Sequence, residues 1–241
     1  MKQNPTYVVL SVFAFGFVAL LLGSTVGAQQ DSERSIDPLR YTDAIEAFEA
    51  QDRVSPPPTG AIVITGSSSI TRWNKAMQKD LAPLTVIPRG FGGSTMQDVL
   101  HFIDRLAIAY KPRAIVIYEG DNDTGIYAVP AEKIVGQFEM IVKKIHEKLP
   151  ETRVYVASVK PSLSRVAVWD KAQKTNGLLE NIVTGNERLT YIDVATPLLG
   201  ADGNVMADIF IDDGLHLNAK GTRIWAATFK AALMKVEAKY E

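Results

Sequence analysis

Four short segments of this chain carry residue types that can act together on a carbonyl group. Gly66-Ser67-Ser68-Ser69-Ile70 offers hydroxyls, and Arg89-Gly90-Phe91-Gly92-Gly93-Ser94 offers backbone N–H groups with little side chain in the way. Gly120-Asp121-Asn122-Asp123 offers a side-chain amide, and Asp212-Asp213-Gly214-Leu215-His216 offers carboxylates just ahead of an imidazole. That combination is a kit for acyl transfer. A serine hydroxyl is a weak nucleophile and needs a base, and histidine titrates near ambient pH. The imidazole in turn needs an acceptor on its other nitrogen to fix its tautomer, and Asp213 lies one turn before His216. The negative oxygen of a tetrahedral intermediate needs waiting donors. Gly93 can give a backbone N–H, Asn122 its amide, and the serine its own N–H.

The rest of the composition narrows the chemistry. There are three histidines: His146 stands in Lys143-Lys144-Ile145-His146-Glu147-Lys148 and reads as part of a solvated helix face, His101 reads as a mid-helix packing residue, and only His216 lies among acids in a loop. The absence of cysteine excludes disulfides, thiolate metal sites, cysteine nucleophiles and a bacterial lipoprotein anchor. A net charge of −1 gives no electrostatic reason to bind nucleic acid or anionic lipid. The glycines match no dinucleotide fingerprint and no phosphate loop, and the acyl-transfer chemistry itself requires no metal or organic cofactor. Taken singly, each segment has an ordinary structural reading: a helix cap for Ser67–Ser69, turn glycines or an anion cradle, a turn or cation site at Asp121–Asp123, a turn at Asp213-Gly214. Their order along one pattern argues for the shared function.

Those residues need a scaffold that brings them to one edge. Five apolar runs of strand length, 61–65, 84–88, 114–119, 153–159 and 190–194, alternate with helical patterns at 70–81, 95–110, 131–149, 168–183 and 219–239. Short Val- and Ile-rich strands separated by helices imply a parallel sheet covered on both faces, a three-layer α/β sandwich. Sites in such sheets form beyond the carboxyl ends of the strands, and three of the four segments directly follow a strand. With 241 residues, one domain plus a short appendage is expected. A helix over 37–52 and the rigid connector Ser55-Pro56-Pro57-Pro58-Thr59-Gly60 precede the main domain, giving a division at residues 29–59 and 60–241.

Residues 1–28 read as an address. A single charge, Lys2, precedes a nearly unbroken apolar stretch from Tyr7 to Gly23, and small residues end at Ala28, the pattern of a secretory signal peptide. The rival reading is an uncleaved membrane anchor, since the uncharged stretch approaches the ~20 residues needed to span. Either reading places the rest outside the cytoplasm, periplasmic or secreted.

The four segments, in this order and spacing, resemble the conserved blocks of the SGNH hydrolases, the GDSL esterase/lipase family, over about Gly60 to the C-terminus. Within it they are most similar to small bacterial members like platelet-activating-factor acetylhydrolase. The resemblance implies a flavodoxin-like, three-layer α/β/α sandwich on a five-stranded parallel sheet. It implies a triad of Ser68, Asp213 and His216, an oxyanion hole of Ser68, Gly93 and Asn122, and no cofactor. One departure is that Ser67 stands where the family has the aspartate of Gly-Asp-Ser. Alignment on Gly66 makes Ser68 the nucleophile, whereas alignment on the following Ile-Thr would make it Ser69. Asn122-Asp123-Thr124 is also the chain's N-glycosylation sequon, and modification would block the proposed hole, so it is expected to stay unmodified. The expected activity is hydrolysis of carboxylic esters, short acyl or acetyl, on a small-molecule, glycan or lipid substrate. Alternatives are an O-acetyltransferase using the same acyl-enzyme, a carbohydrate- or lipid-binding module with a dead site, and a phosphate-binding flavodoxin-like protein.

Overall fold

The structure, a computed structural model, describes residues 39–241 together with Met1, Ile36 and Asp37. The expected signal peptide or anchor at residues 1–28 lies outside the described residues, apart from Met1. Among the described residues no helix is long and apolar enough to cross a membrane.

Five strands form one parallel sheet: β1 (Ile62–Gly66), β2 (Val86–Gly90), β3 (Ala114–Tyr118), β4 (Arg153–Ala157) and β5 (Leu189–Ile192), in the order β2-β1-β3-β4-β5. The helices are α1 (Thr42–Val54), α2 (Ser68–Leu81), α3 (Met96–Leu106), α4 (Asp121–Gly125), α5 (Ala131–Lys148), α6 (Trp169–Val183) and α7 (Ala219–Met234). The strand order sorts the layers. The chain steps from β1 to β2 in one direction and then from β2 through β5 in the other. Crossovers are right-handed, so reversing direction moves the helix to the opposite face. Accordingly α2 packs on one face with α7, while α3, α5 and α6 pack on the other with α1.

Side-chain alternation along the strands feeds both cores. Val63, Ile115, Ile117, Val154 and Val156 meet α3, α5 and α6. Ile62, Ile64, Val116, Tyr118 and Tyr155 meet Trp73 and Met77 of α2 and Trp225 and Phe229 of α7. Each such side chain stabilises the fold by about 1.5–3 kcal/mol on leaving water. The three-layer sandwich expected from the sequence is what forms.

Local outcomes differ from the sequence reading in places. Helix α1 begins at Thr42, not residue 37, because a turn comes first: Leu39 N donates to the Asp37 carboxylate (2.9 Å) and Thr42 N to Leu39 O (2.9 Å). The polar segment after β3 is not an open turn but helix α4, a single helical turn.

Candidate active site

Strand β1 delivers the serines to the switch in strand order, between β2 and β3. Gly66 ends it at φ +151°, and a Cβ there would overlap the Tyr118 carbonyl oxygen, so only glycine lets β1 turn into α2 this close to β3. Ser67 occupies the N-cap position with extended backbone, yet its side chain caps nothing. Ser68 opens the helix. Its Oγ lies 2.8 Å from His216 Nε2, and His216 Nδ1 lies 2.6 Å from Asp213 Oδ2. Asp213 Oδ1 accepts the backbone N–H groups of Leu215 and His216, both at 2.8 Å. The carboxylate thus assigns the tautomer: Nδ1 carries the proton, and Nε2 is free to accept one from Ser68. Hydrogen bonding from the His216 side chain, then from its backbone, holds the Asp213 carboxyl well below the usual carboxylate range. Ser69 instead lines a small cavity with Arg72, Trp73 and Leu217.

The loop carrying Asp213 and His216 is pinned at both ends. Ile211 N donates to His216 O (2.9 Å) and Asn218 N to Ile209 O (2.9 Å), while the Asn218 side chain caps α7 by accepting from Lys220 N and Gly221 N.

The other two segments frame the serine. A Cβ added to Gly92 would lie 3.9 Å from Ser68 Cα, so the glycine loop runs alongside the Ser68 backbone. Gly93 sits at φ +84°, and a Cβ on it would come 2.7 Å from the Tyr41 hydroxyl. Asn122, 4% exposed, lies on α4; its Nδ2 donates to Ser94 O (2.9 Å), which ties the amide to the residue after Gly93. The other N–H of that amide has no acceptor among the described residues.

A buried polar layer supports this rim. Lys160, fully buried, donates to Leu215 O (2.8 Å) in the histidine loop and to Asp121 Oδ2 (3.3 Å). Arg165 binds both the carbonyl (2.6 Å) and the carboxylate of Asp121, and its Nη2 donates to Asn122 Oδ1 (2.9 Å). Burial pushes the Asp121 carboxyl up, but Lys160 and Arg165 outweigh it and hold it below its ordinary value. Beneath Ser94 the balance is reversed. Ser94 Oγ donates to Glu119 Oε1 (2.5 Å), while the buried Oε2 has no partner. Burial, reinforced by Asp123, pushes the Glu119 carboxyl well up. Burial likewise raises Asp123 to about 7, against the backbone N–H groups of Met96 and Gly120 that it accepts.

All five residues expected from sequence lie at one edge of the sheet: Ser68 and Asn122 in the first turns of α2 and α4, and Gly93, Asp213 and His216 on loops. Of the other histidines, His101 is exposed and stacks edge-on against Phe102. His146 departs from the solvated reading: half-buried, its Nε2 meets Thr152 O at 3.0 Å. Sequence reasoning passed over Tyr41, Lys160, Arg165 and Glu119. Lys160 and Arg165 follow β4, at the same carboxyl edge that holds the other segments, a position that marks the region but not that the two side chains turn inward. Tyr41 carried no signal.

Comparisons with known proteins bear on the family and the fold. The model of the GDSL-like Lipase/Acylhydrolase family matches residues 52–224, and the chain belongs to that family. Among curated proteins it is 27% identical over 143 residues to the platelet-activating factor acetylhydrolase IB subunit alpha2 of Rattus norvegicus and of Homo sapiens, covering 58% of this chain and 60% of theirs. The match therefore spans about three fifths of those relatives' length. Among solved structures, a GDSL-like lipase from Bacteroides thetaiotaomicron superposes with a TM-score of 0.67 at 20% identity over 79% of this chain and 97% of its own. A carbohydrate esterase family 3 protein from Talaromyces cellulolyticus does so at 0.60 and 20%, over 74% and 99%. These two likenesses concern the fold.

Proposed function

We propose that the protein is a serine esterase that cleaves short acyl groups, acetyl foremost, from esters outside the cytoplasm. The observation that carries this is the relay of 2.8 Å and 2.6 Å contacts from Ser68 through His216 to Asp213. Ser68 Oγ attacks the ester carbonyl as its proton passes to His216 Nε2, and the imidazolium is stabilised by Asp213. The Ser68 and Gly93 N–H groups and the Asn122 amide take the oxyanion. The imidazolium protonates the leaving alcohol, leaving an acyl-enzyme. Water, deprotonated by His216, then releases the acid and restores Ser68.

Two features support a small acyl group. The Tyr41 hydroxyl crowds the space beside Gly93. The curated relatives also carry the name acetylhydrolase. The outside location rests on the signal-like pattern of residues 1–28. The test is a fluorophosphonate probe with the adduct mapped by mass spectrometry, followed by a series of acetyl, butyryl and longer p-nitrophenyl esters. Labelling of Ser68 and fastest turnover of the shortest esters are expected. Labelling of Ser69, or none on folded protein, would sink the assignment.

A further inference from the structure

We propose that Arg165 is a positioning residue that fixes the orientation of the Asn122 amide toward the oxyanion; the inference rests on the esterase reading above. An asparagine amide presents a donor at one end and an acceptor at the other, and a half-turn about its last bond exchanges them. In an oxyanion hole that exchange is decisive. The wrong orientation puts a carbonyl oxygen where negative charge develops, converting stabilisation into repulsion.

Asn122 is held against this exchange from both ends. Ser94 O accepts from its Nδ2 (2.9 Å), and Arg165 Nη2 donates to its Oδ1 (2.9 Å). A half-turn would set the two carbonyl oxygens against each other and the amide N–H groups against the guanidinium. The Arg165 bond is charge-assisted, so it is the stronger of the two locks. It also draws electron density toward Oδ1, which makes the remaining N–H a better donor. Arg165 can do this because its other nitrogen is anchored on Asp121, whose second oxygen is held by buried Lys160.

The backbone is shaped for this crossing. Arg165 Cδ and Nε both lie 2.7 Å from where a Cβ on Gly125 would stand, so the guanidinium stem lies directly on the α4 glycine. Gly125 is not in the left-handed region, so alanine there is conformationally ordinary, and the flexible arginine is what must move.

That gives two independent perturbations, Arg165→Met, which removes the donor, and Gly125→Ala, which displaces it while leaving Asn122 and Arg165 in the chain. The measurements are kcat and KM on p-nitrophenyl acetate, fluorophosphonate labelling of Ser68, and thermal unfolding, for each variant alone and combined with Asn122→Ala. Losing one oxyanion donor costs about 100-fold or more in kcat, so Asn122→Ala should lie there. A loosened donor should cost less: we expect about tenfold in kcat for each of the two perturbations, with KM within about twofold and Ser68 still labelled. In the Asn122→Ala background both should change kcat by less than about twofold, because there is no amide left to orient. A tenfold loss that persists without Asn122 would show a merely structural role and overturn the proposal. So would full kcat in both variants. Should Arg165→Met fail to fold, Gly125→Ala decides the matter. Absence of Ser68 labelling in the parent protein would instead refute the esterase reading itself.

Discussion

The hydroxyl of Tyr41 fills the one place where a side chain on Gly93 would have to go. Tyr41 belongs to the turn before α1, and it is anchored there by an edge-on contact with Phe91, rings 5.1 Å apart. The segment preceding the β1 strand therefore packs against the glycine loop, beside the oxyanion hole proposed above. It follows that Gly93→Ala should act twice. Left-handed backbone costs an alanine about 1–2 kcal/mol, and the added methyl must push against Tyr41 or shift the N–H. We expect kcat to fall about 100-fold, the value of one lost donor, with a modest drop in the denaturation midpoint. Kinetics on p-nitrophenyl acetate and urea unfolding would check both.

Arg40, beside Tyr41, should be worth far more to stability than a surface arginine. Its Nη2 lies 2.6 Å from Asp98 Oδ2, and Asp98 is fully buried at the start of α3, where it also accepts from Thr95. Arg40→Ala would leave that carboxylate without its cation, which costs about 3 kcal/mol in comparable buried pairs. Chemical denaturation of the variant is the check; a change below about 0.5 kcal/mol, typical of exposed pairs, would contradict it.

Asp213 is the exposed member of the relay, its side chain 40% accessible. Because its carboxyl is held well below the usual range, it stays ionised throughout the pH range in which an esterase works. Asp213→Asn should therefore unfold near the parent's temperature yet lose about 10⁴-fold in kcat, through the wrong imidazole tautomer. An amide variant retaining a tenth of the activity would show that the carboxylate is dispensable.

The buried carboxyls of Glu119 and Asp123 should make stability fall as pH rises. Burial raises Glu119 and raises Asp123 to about 7, so the folded protein holds protons that the unfolded chain releases near pH 4. Their contribution is complete below that pH and is lost as pH climbs, for Asp123 over about pH 4 to 7. Glu119→Gln keeps the bond to Ser94 and removes one titrating group. Denaturation midpoints between pH 5 and 8 should decline less steeply in the variant than in the parent. Identical slopes would mean Glu119 is ionised in the fold.

The sheet and the order of its elements were legible because buried parallel strands write continuous apolar runs. Their edges were not, and the reasons are local. Leu84 extends the run ahead of β2, but it is buried in the turn closing α2, with its N–H on Leu81 O (3.0 Å). Val194 extends the run beyond β5, but its N–H and that of Ala195 turn to the Ser158 hydroxyl and leave the ladder. The candidate site was legible because the proposed nucleophile, base and donors must come in restricted residue types. Lys160 and Arg165 were not, since a charged residue in a connection ordinarily faces water. Nothing short of the tertiary arrangement reveals that Asp121 draws both inward.

The bond between Ser68 and His216 joins residues 148 positions apart. It joins the start of α2 to the loop leading into α7. Contacts of such sequence separation carry the entropy of closing a long loop and form late. Recovery of ester hydrolysis during refolding should accordingly lag behind the return of helical circular dichroism, so that enzymatic turnover times the last step of assembly.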